Sequence, residues 1–126
     1  MVPKIRDVDQ MSIKEIGRAL RKTSRLCRDL KIDKKEFFGG SMTISSLGGI
    51  GGTFFTPIIN PPEVAILGVG KSFDRLVKVN DKFVSRKILP ISLSYDHRII
   101  DGAEGARFCV YLGKCLGKDF AFKLAV

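Results

Sequence analysis

The sequence predicts an α+β fold, an α/β sandwich with a mixed sheet and flanking helices, on three observations. A helix-period segment opens the chain, β-rich runs bounded by Gly and Pro fill its middle, and a second helix-forming stretch follows. At 126 residues the chain is expected to form at most one domain, with a modest core.

Residues 2–6 read as a short strand tail. Ser12-Ile-Lys-Glu15 has capping-box spacing, in which the hydroxyl and the carboxylate satisfy each other's free backbone donors at a helix start. Ile13, Ile16, Leu20, Cys27 and Leu30 then follow helical spacing, with Lys14, Arg18, Arg21 and Arg25 on the opposite side. One amphipathic helix over 12–29 is expected, and Asp33-Lys-Lys-Glu-Phe37 adds a helical turn. Gly39-Gly40 precedes an alternating β-rich run, Ser41 to Leu47. Gly48-Gly-Ile-Gly-Gly52 reads as a close-packed turn, since it lacks both phosphate-loop spacing and a terminal Gly-Lys-Ser/Thr. Pro61-Pro62 excludes regular helix, and Glu63 to Gly70 reads as a strand buried on both faces. Strands near 74–79 and 82–95 flank a hairpin turn at Asn80-Asp81. A helix over 102–117 is expected to turn Ala106, Cys109, Val110, Leu112 and Leu116 inward, giving the order α-β-β-β-β-α.

Charge and cysteine usage narrow the function classes. Twenty-two Lys and Arg against 13 Asp and Glu give a net charge of +9, which suits a polyanionic partner. The basic residues are dispersed with few aromatics among them, and the densest patch, Arg18 to Lys35, reads as a solvated helix face; no nucleic-acid partner is expected. Cys27, Cys109 and Cys115 form no CxxC pair, and only one histidine accompanies them. Free buried thiols in a reducing compartment are expected rather than a metal site. No apolar run reaches the roughly 18 residues of a membrane span, and the N-terminus lacks the apolar core of a signal peptide. A soluble, unexported chain with no membrane partner is expected, cytoplasmic if the source is bacterial.

The only histidine, His97, lies in Leu93-Ser-Tyr-Asp-His-Arg-Ile-Ile-Asp-Gly102. It sits between an apolar strand and a helix, where scaffolds present catalytic groups. An imidazole titrates near neutrality unless perturbed, so histidine is the usual general base. Spacing alone leaves open a histidine that merely caps a turn.

Three blocks carry a family resemblance: Gly39 to Gly48, Phe55 to Val69, and Leu89 to Phe108 with its HxxxDG motif. Together they resemble the catalytic domain of the dihydrolipoamide acyltransferases, the core components of 2-oxoacid dehydrogenase complexes, above all those of bacterial pyruvate dehydrogenase complexes. Val2 to Asp9 and the helix after it are similar too, so the resemblance spans nearly the whole chain. It places residues 1–126 in the C-terminal half of that domain, with no lipoyl domain and no peripheral-subunit-binding domain.

The resemblance implies a chloramphenicol-acetyltransferase-like fold and transfer of an acyl group, acetyl foremost, between dihydrolipoamide and coenzyme A. Both are substrates, the lipoyl group being carried on a domain absent from this chain. His97 matches the family's base, Ser45 its oxyanion donor, and Asp101 an acidic or amide position expected to hold the polar network. Ser46 should face the other side of the strand. The residues that bind coenzyme A are not assigned, and Arg98 is expected in a structural ion pair. The implied assembly is a homotrimer built into a cubic or dodecahedral core, with Ser45 and His97 meeting from neighbouring chains. Decarboxylase and dihydrolipoamide dehydrogenase components are the implied partners. The alternative is a non-catalytic assembly element of such a core.

Overall fold

The computed structural model describes residues 2–117 and 120. The chain divides into two compact units, one comprising Met1–Gly40 with Val110–Val126, the other Ser41–Cys109.

In the first unit, helix α1 (Ile13–Arg28) begins at Ser12 as its capping box requires. The Ser12 hydroxyl accepts the Glu15 N–H at 3.3 Å, and the Glu15 carboxylate accepts the Ser12 N–H at 2.8 Å. Hydrogen bonds from the Ser12 hydroxyl and N–H hold the Glu15 carboxyl below the usual carboxylate range. The half-buried stripe of α1 is Ile16, Ala19, Thr23 and Leu26, bordered by half-buried Gly17 and Cys27, the latter as expected. Ile13, Leu20 and Leu30, expected on that stripe, are instead exposed. Counting only strongly apolar residues passes over Ala19 and Thr23, which complete the 3-4-3 spacing. Leu30 lies past the helix end at φ 54°, outside its periodicity.

Asp33 caps a 3-10 turn, Lys34–Phe37, by accepting the Lys35 N–H at 3.0 Å. Residues 2–6 are extended but form no strand. The Lys4 N–H donates to the Glu36 carbonyl at 2.8 Å, and Arg6 pairs with the Glu36 carboxylate at 3.5 Å. The segment therefore docks on the 3-10 turn, not on a sheet.

The second unit holds strands β1 (Thr43–Ser46), β2 (Ala65–Val69), β3 (Phe73–Val79), β4 (Lys82–Ile88) and β5 (Ile91–Tyr95). β1, β2 and β5 form one mixed sheet in that order, with β1 parallel and β5 antiparallel to the central β2. β3 and β4 form a separate hairpin. The α+β class and the mixed sheet are thus as expected, but with five strands instead of four. The run 82–95 is two strands because Pro90 interrupts it, having no N–H to donate. Its carbonyl instead accepts the Gly70 N–H at 3.0 Å, and the chain leaves β3 for β2.

Asn80 and Asp81 turn the hairpin with φ of 47° and 61°, the left-handed pair that a two-residue turn demands. One hairpin face carries a directly opposed pair of like charges, Arg75 across from Arg86. The other carries a 3.0 Å ion pair between Lys87 and Asp74.

β2 contributes the buried apolar residues Ala65, Ile66 and Leu67, and it is the only strand of its sheet paired on both sides. Its glycines let the chain lie flat on it. A Cβ on Gly68 would stand 2.6 Å from the Ser92 hydroxyl and 3.1 Å from the Phe55 ring, and one on Gly70 would strike the Thr53 carbonyl.

Helix α2 (Gly102–Cys115) buries Gly105, with Cys109 and Leu112 half-buried. Cys109 and Leu112 are thus inward as expected, whereas Ala106, Val110 and Leu116 are exposed, so the inner stripe is the narrower row Gly105, Cys109, Leu112 and Cys115. All three cysteines are free and half-buried rather than buried. Among the described residues no helix is long and apolar enough to cross a membrane.

Gly68→Ala should lower stability by about 1–3 kcal/mol through overpacking. Gly49→Ala, where a Cβ meets nothing within 4 Å, should change it little. Urea denaturation of the two variants checks this; equal midpoints would contradict the close approach at Gly68.

Candidate active site

β5 ends at Tyr95, and the next six residues turn the chain into α2. The Asp96 N–H donates to the Val64 carbonyl at 2.9 Å, which extends the β2–β5 pairing past the strand end. The Asp96 carbonyl then accepts the N–H groups of Ile99 and Ile100, both at 3.0 Å.

The Asp96 carboxylate accepts the Arg98 N–H at 3.0 Å and its guanidinium at 2.9 Å from Nε and 2.6 Å from Nη2. These bonds pull the Asp96 carboxyl down to about 2 and raise the Arg98 guanidinium. Arg98 is thus in a local ion pair, as expected. The backbone is fixed on both sides of residue 97.

The second half of the turn is fixed by the helix start. The Asp101 Oδ1 accepts the Glu104 N–H at 2.7 Å, and the Glu104 carboxylate accepts the Asp101 N–H at 3.3 Å. This is a second reciprocal cap, and it was legible in the spacing Asp101-Gly-Ala-Glu104. Asp101 therefore does structural work at the N-terminus of α2, where a carboxylate also suits the helix dipole.

His97 is exposed between these two anchors, and no hydrogen bond joins it to Asp101 among the described residues. Its imidazole instead lies beside the Tyr95 ring, with centroids 5.7 Å apart and planes inclined at 40°. Tyr95 rests on α2 at Gly105, where a Cβ would come within 2.8 Å of its Cε1. A Cβ on Gly102 would stand 3.9 Å from both His97 Nε2 and the Tyr95 hydroxyl, so both polar atoms converge over the first residue of the helix. Composition and spacing did not single out Tyr95 or Gly105.

Ser45 lies on β1 with buried Thr43 on its side, while Ile44 and Ser46 face away and are exposed. Strand alternation separates the two serines as expected. The Ser46 hydroxyl accepts the Gly48 N–H at 3.4 Å, whereas that of Ser45 has no hydrogen-bond partner among the described residues.

Ser45 pairs with Gly68, which pairs with Ser92. β5 ends at Tyr95, three residues after Ser92, so within one chain the strand end that leads into His97 is displaced from the serine by roughly 10 Å along the strands, and by two strand spacings across them. The sheet brings His97 and Asp101 to one turn and leaves Ser45 well away from both. No group of three or more His, Cys, Asp or Glu side chains suited to a metal ion occurs among the described residues.

Residues 1–121 match the family described as 2-oxoacid dehydrogenases acyltransferase (catalytic domain). The chain belongs to this family. It is 51% identical over 120 residues to the dihydrolipoyllysine-residue acetyltransferase component of the pyruvate dehydrogenase complex of Cupriavidus necator, covering 95% of this chain and 22% of that protein. Among solved structures it is similar to Azotobacter vinelandii dihydrolipoamide acetyltransferase, with a TM-score of 0.89 and 48% identity, covering 94% of this chain and 49% of that one. In that protein a serine, a histidine and an asparagine, 52 and then 4 residues apart, were investigated for their role in the catalytic mechanism. It is equally similar, at TM-score 0.89 and 47% identity, to the cubic core of a pyruvate dehydrogenase multienzyme complex, covering 94% of this chain and 49% of that one. The chain thus spans about a fifth of the curated relative and half of each solved core chain.

The Asp96–Arg98 bonds set a pH limit on the turn. Since the folded carboxyl titrates at about 2 against an ordinary 3.8, its contribution is complete above about 4 and is lost as pH falls from there towards 2. Hydrogen exchange of the Ile99 and Ile100 amides should accelerate relative to β2 over that interval. A pH-independent ratio would show that the carboxylate does not hold the turn.

Proposed function

We propose that residues 1–126 form the C-terminal part of an acyltransferase catalytic domain with a chloramphenicol-acetyltransferase-like fold. The reaction is acetyl transfer between dihydrolipoamide and coenzyme A in a cytoplasmic 2-oxoacid dehydrogenase complex. One observation carries the assignment of residues: Ser45, His97 and Asp101 have the same separations, 52 and 4, as the serine, histidine and asparagine investigated in the Azotobacter vinelandii enzyme. The third position is a carboxylate here and an amide there. Either accepts a backbone N–H at a helix start, which is what Asp101 does.

The chemistry follows from these groups. A thiol is a weak nucleophile until deprotonated. His97 takes the proton from the coenzyme A thiol as its sulfur attacks the thioester carbon of S-acetyldihydrolipoamide. The carbonyl oxygen becomes an oxyanion, and the hydroxyl of Ser45 donates a hydrogen bond to it. Collapse of the tetrahedral intermediate expels the dihydrolipoyl sulfur, which receives the proton from His97. Asp101 transfers no proton; its bond to Glu104 N–H holds the end of the turn in place.

The separation of Ser45 and His97 along the sheet favours a site shared between neighbouring chains, as in a trimer. Such trimers would build a cubic or dodecahedral core that receives decarboxylase and dihydrolipoamide dehydrogenase components.

The test is acetyl transfer from acetyl-CoA to free dihydrolipoamide. His97→Ala should lower the rate by about 10²–10⁴-fold, and Ser45→Ala by about 10²–10³-fold. Co-assembly of the two inactive variants should restore part of the activity, because some interfaces then hold both native residues. Absence of recovery would place the site within one chain. Assembly without transfer by the unmutated chain would favour the alternative, a structural element of the core.

A further inference from the structure

We infer that Tyr95, seated in the space left by the missing Cβ of Gly105, is a positioning residue for the His97 imidazole; this rests on the reading of His97 as the base. The Asp96–Arg98 and Asp101–Glu104 bonds fix the backbone on either side of His97, but neither touches its ring. An exposed side chain between two anchored backbone segments still has its own rotamers to choose among. The contact that limits that choice is the Tyr95 ring at 5.7 Å.

Tyr95 is itself held. It is the last residue of β5 and pairs with buried Ala65. Its ring lies against the first turn of α2, where Gly105 is the only buried residue of that helix among those described. Its Cε1, Cζ and Cδ1 would stand 2.8, 3.1 and 3.4 Å from a Cβ at position 105, so any other residue there must push the ring aside. Strand end, helix start and imidazole thus meet at one aromatic ring. The ring accounts for a tyrosine before the turn and a glycine three residues into the helix as one arrangement. Positioning matters because a displacement of about 1 Å at a reacting group can cost about 10²-fold in rate.

His97 is the only histidine in the chain, so its Cε1–H and Cδ2–H signals are readable by NMR on the intact protein. The neighbouring ring should displace them from the positions of a solvated histidine. Tyr95→Leu should abolish that displacement, as should Gly105→Ala, which leaves Tyr95 present but displaces it. Tyr95→Phe should retain it. Where transfer is measured on the assembled protein, Tyr95→Leu should lower kcat by about 10²-fold with little change in KM. Histidine signals that stay in place in Tyr95→Leu would overturn the inference, as would a loss in Tyr95→Phe equal to that in Tyr95→Leu. Failure of the base assignment is read separately: His97→Ala would then keep its transfer rate, whatever the spectra of the Tyr95 variants.

Discussion

Strand β2 is the constraint on which the second unit depends. It is hydrogen-bonded on both sides, supplies the buried apolar trio Ala65, Ile66 and Leu67, and has glycines at 68 and, just past its end, 70. The trio binds β1 and β5 to a common centre. The glycines admit Phe55 and the Thr53 carbonyl to positions any larger residue would occupy. Ser45 owes its facing to the same strand, because a one-residue slip of β1 would exchange it with Ser46. Side-chain placement at the candidate site therefore begins with backbone pairing, not with contacts among the site residues.

The His97 turn is held by a division of labour. The Asp96 backbone continues the sheet, its carboxylate holds Arg98, and Asp101 with Glu104 starts the helix. The first bond ties the turn to the sheet and the other two are local, so the turn does not need a buried core of its own. That arrangement leaves the histidine side chain exposed between its two anchors. At the fourth position after the histidine, the bond to the helix N–H needs only an acceptor, which an amide oxygen would supply as well as the carboxylate present here.

What could be read in the sequence was mainly what depends on near neighbours. The Ser12 cap, the Asp33 turn, the Asn80-Asp81 hairpin and the limits of α1 all follow from residues within one turn of each other, and the structure has them. The class of fold and the motif around His97 were legible too. Burial was less so. Leu30 and Val110 are apolar residues left exposed, while Gly105 is buried because a distant tyrosine lies on it. The pairing of β5 with β2 instead of β3 was signalled by Pro90, whose effect depends on a partner 20 residues earlier, Gly70. Among the site residues, the role of Asp101 as a cap was in the spacing, but the seat of Tyr95 was not, because no local pattern tells a glycine that receives a ring from one that ends a helix.

The hairpin of β3 and β4 has a response to its solvent that follows from its two faces. Arg75 and Arg86 stand opposite each other with no acidic residue across from either, whereas Asp74 attracts Lys87 on the reverse side. Dissolved ions shorten the reach of exposed charges, from about 10 Å at 0.1 M to about 3 Å at 1 M ionic strength. Added salt therefore weakens an attraction on one face and relieves a repulsion on the other. The two effects oppose each other, so ionic strength moves this ribbon less than either face alone would suggest.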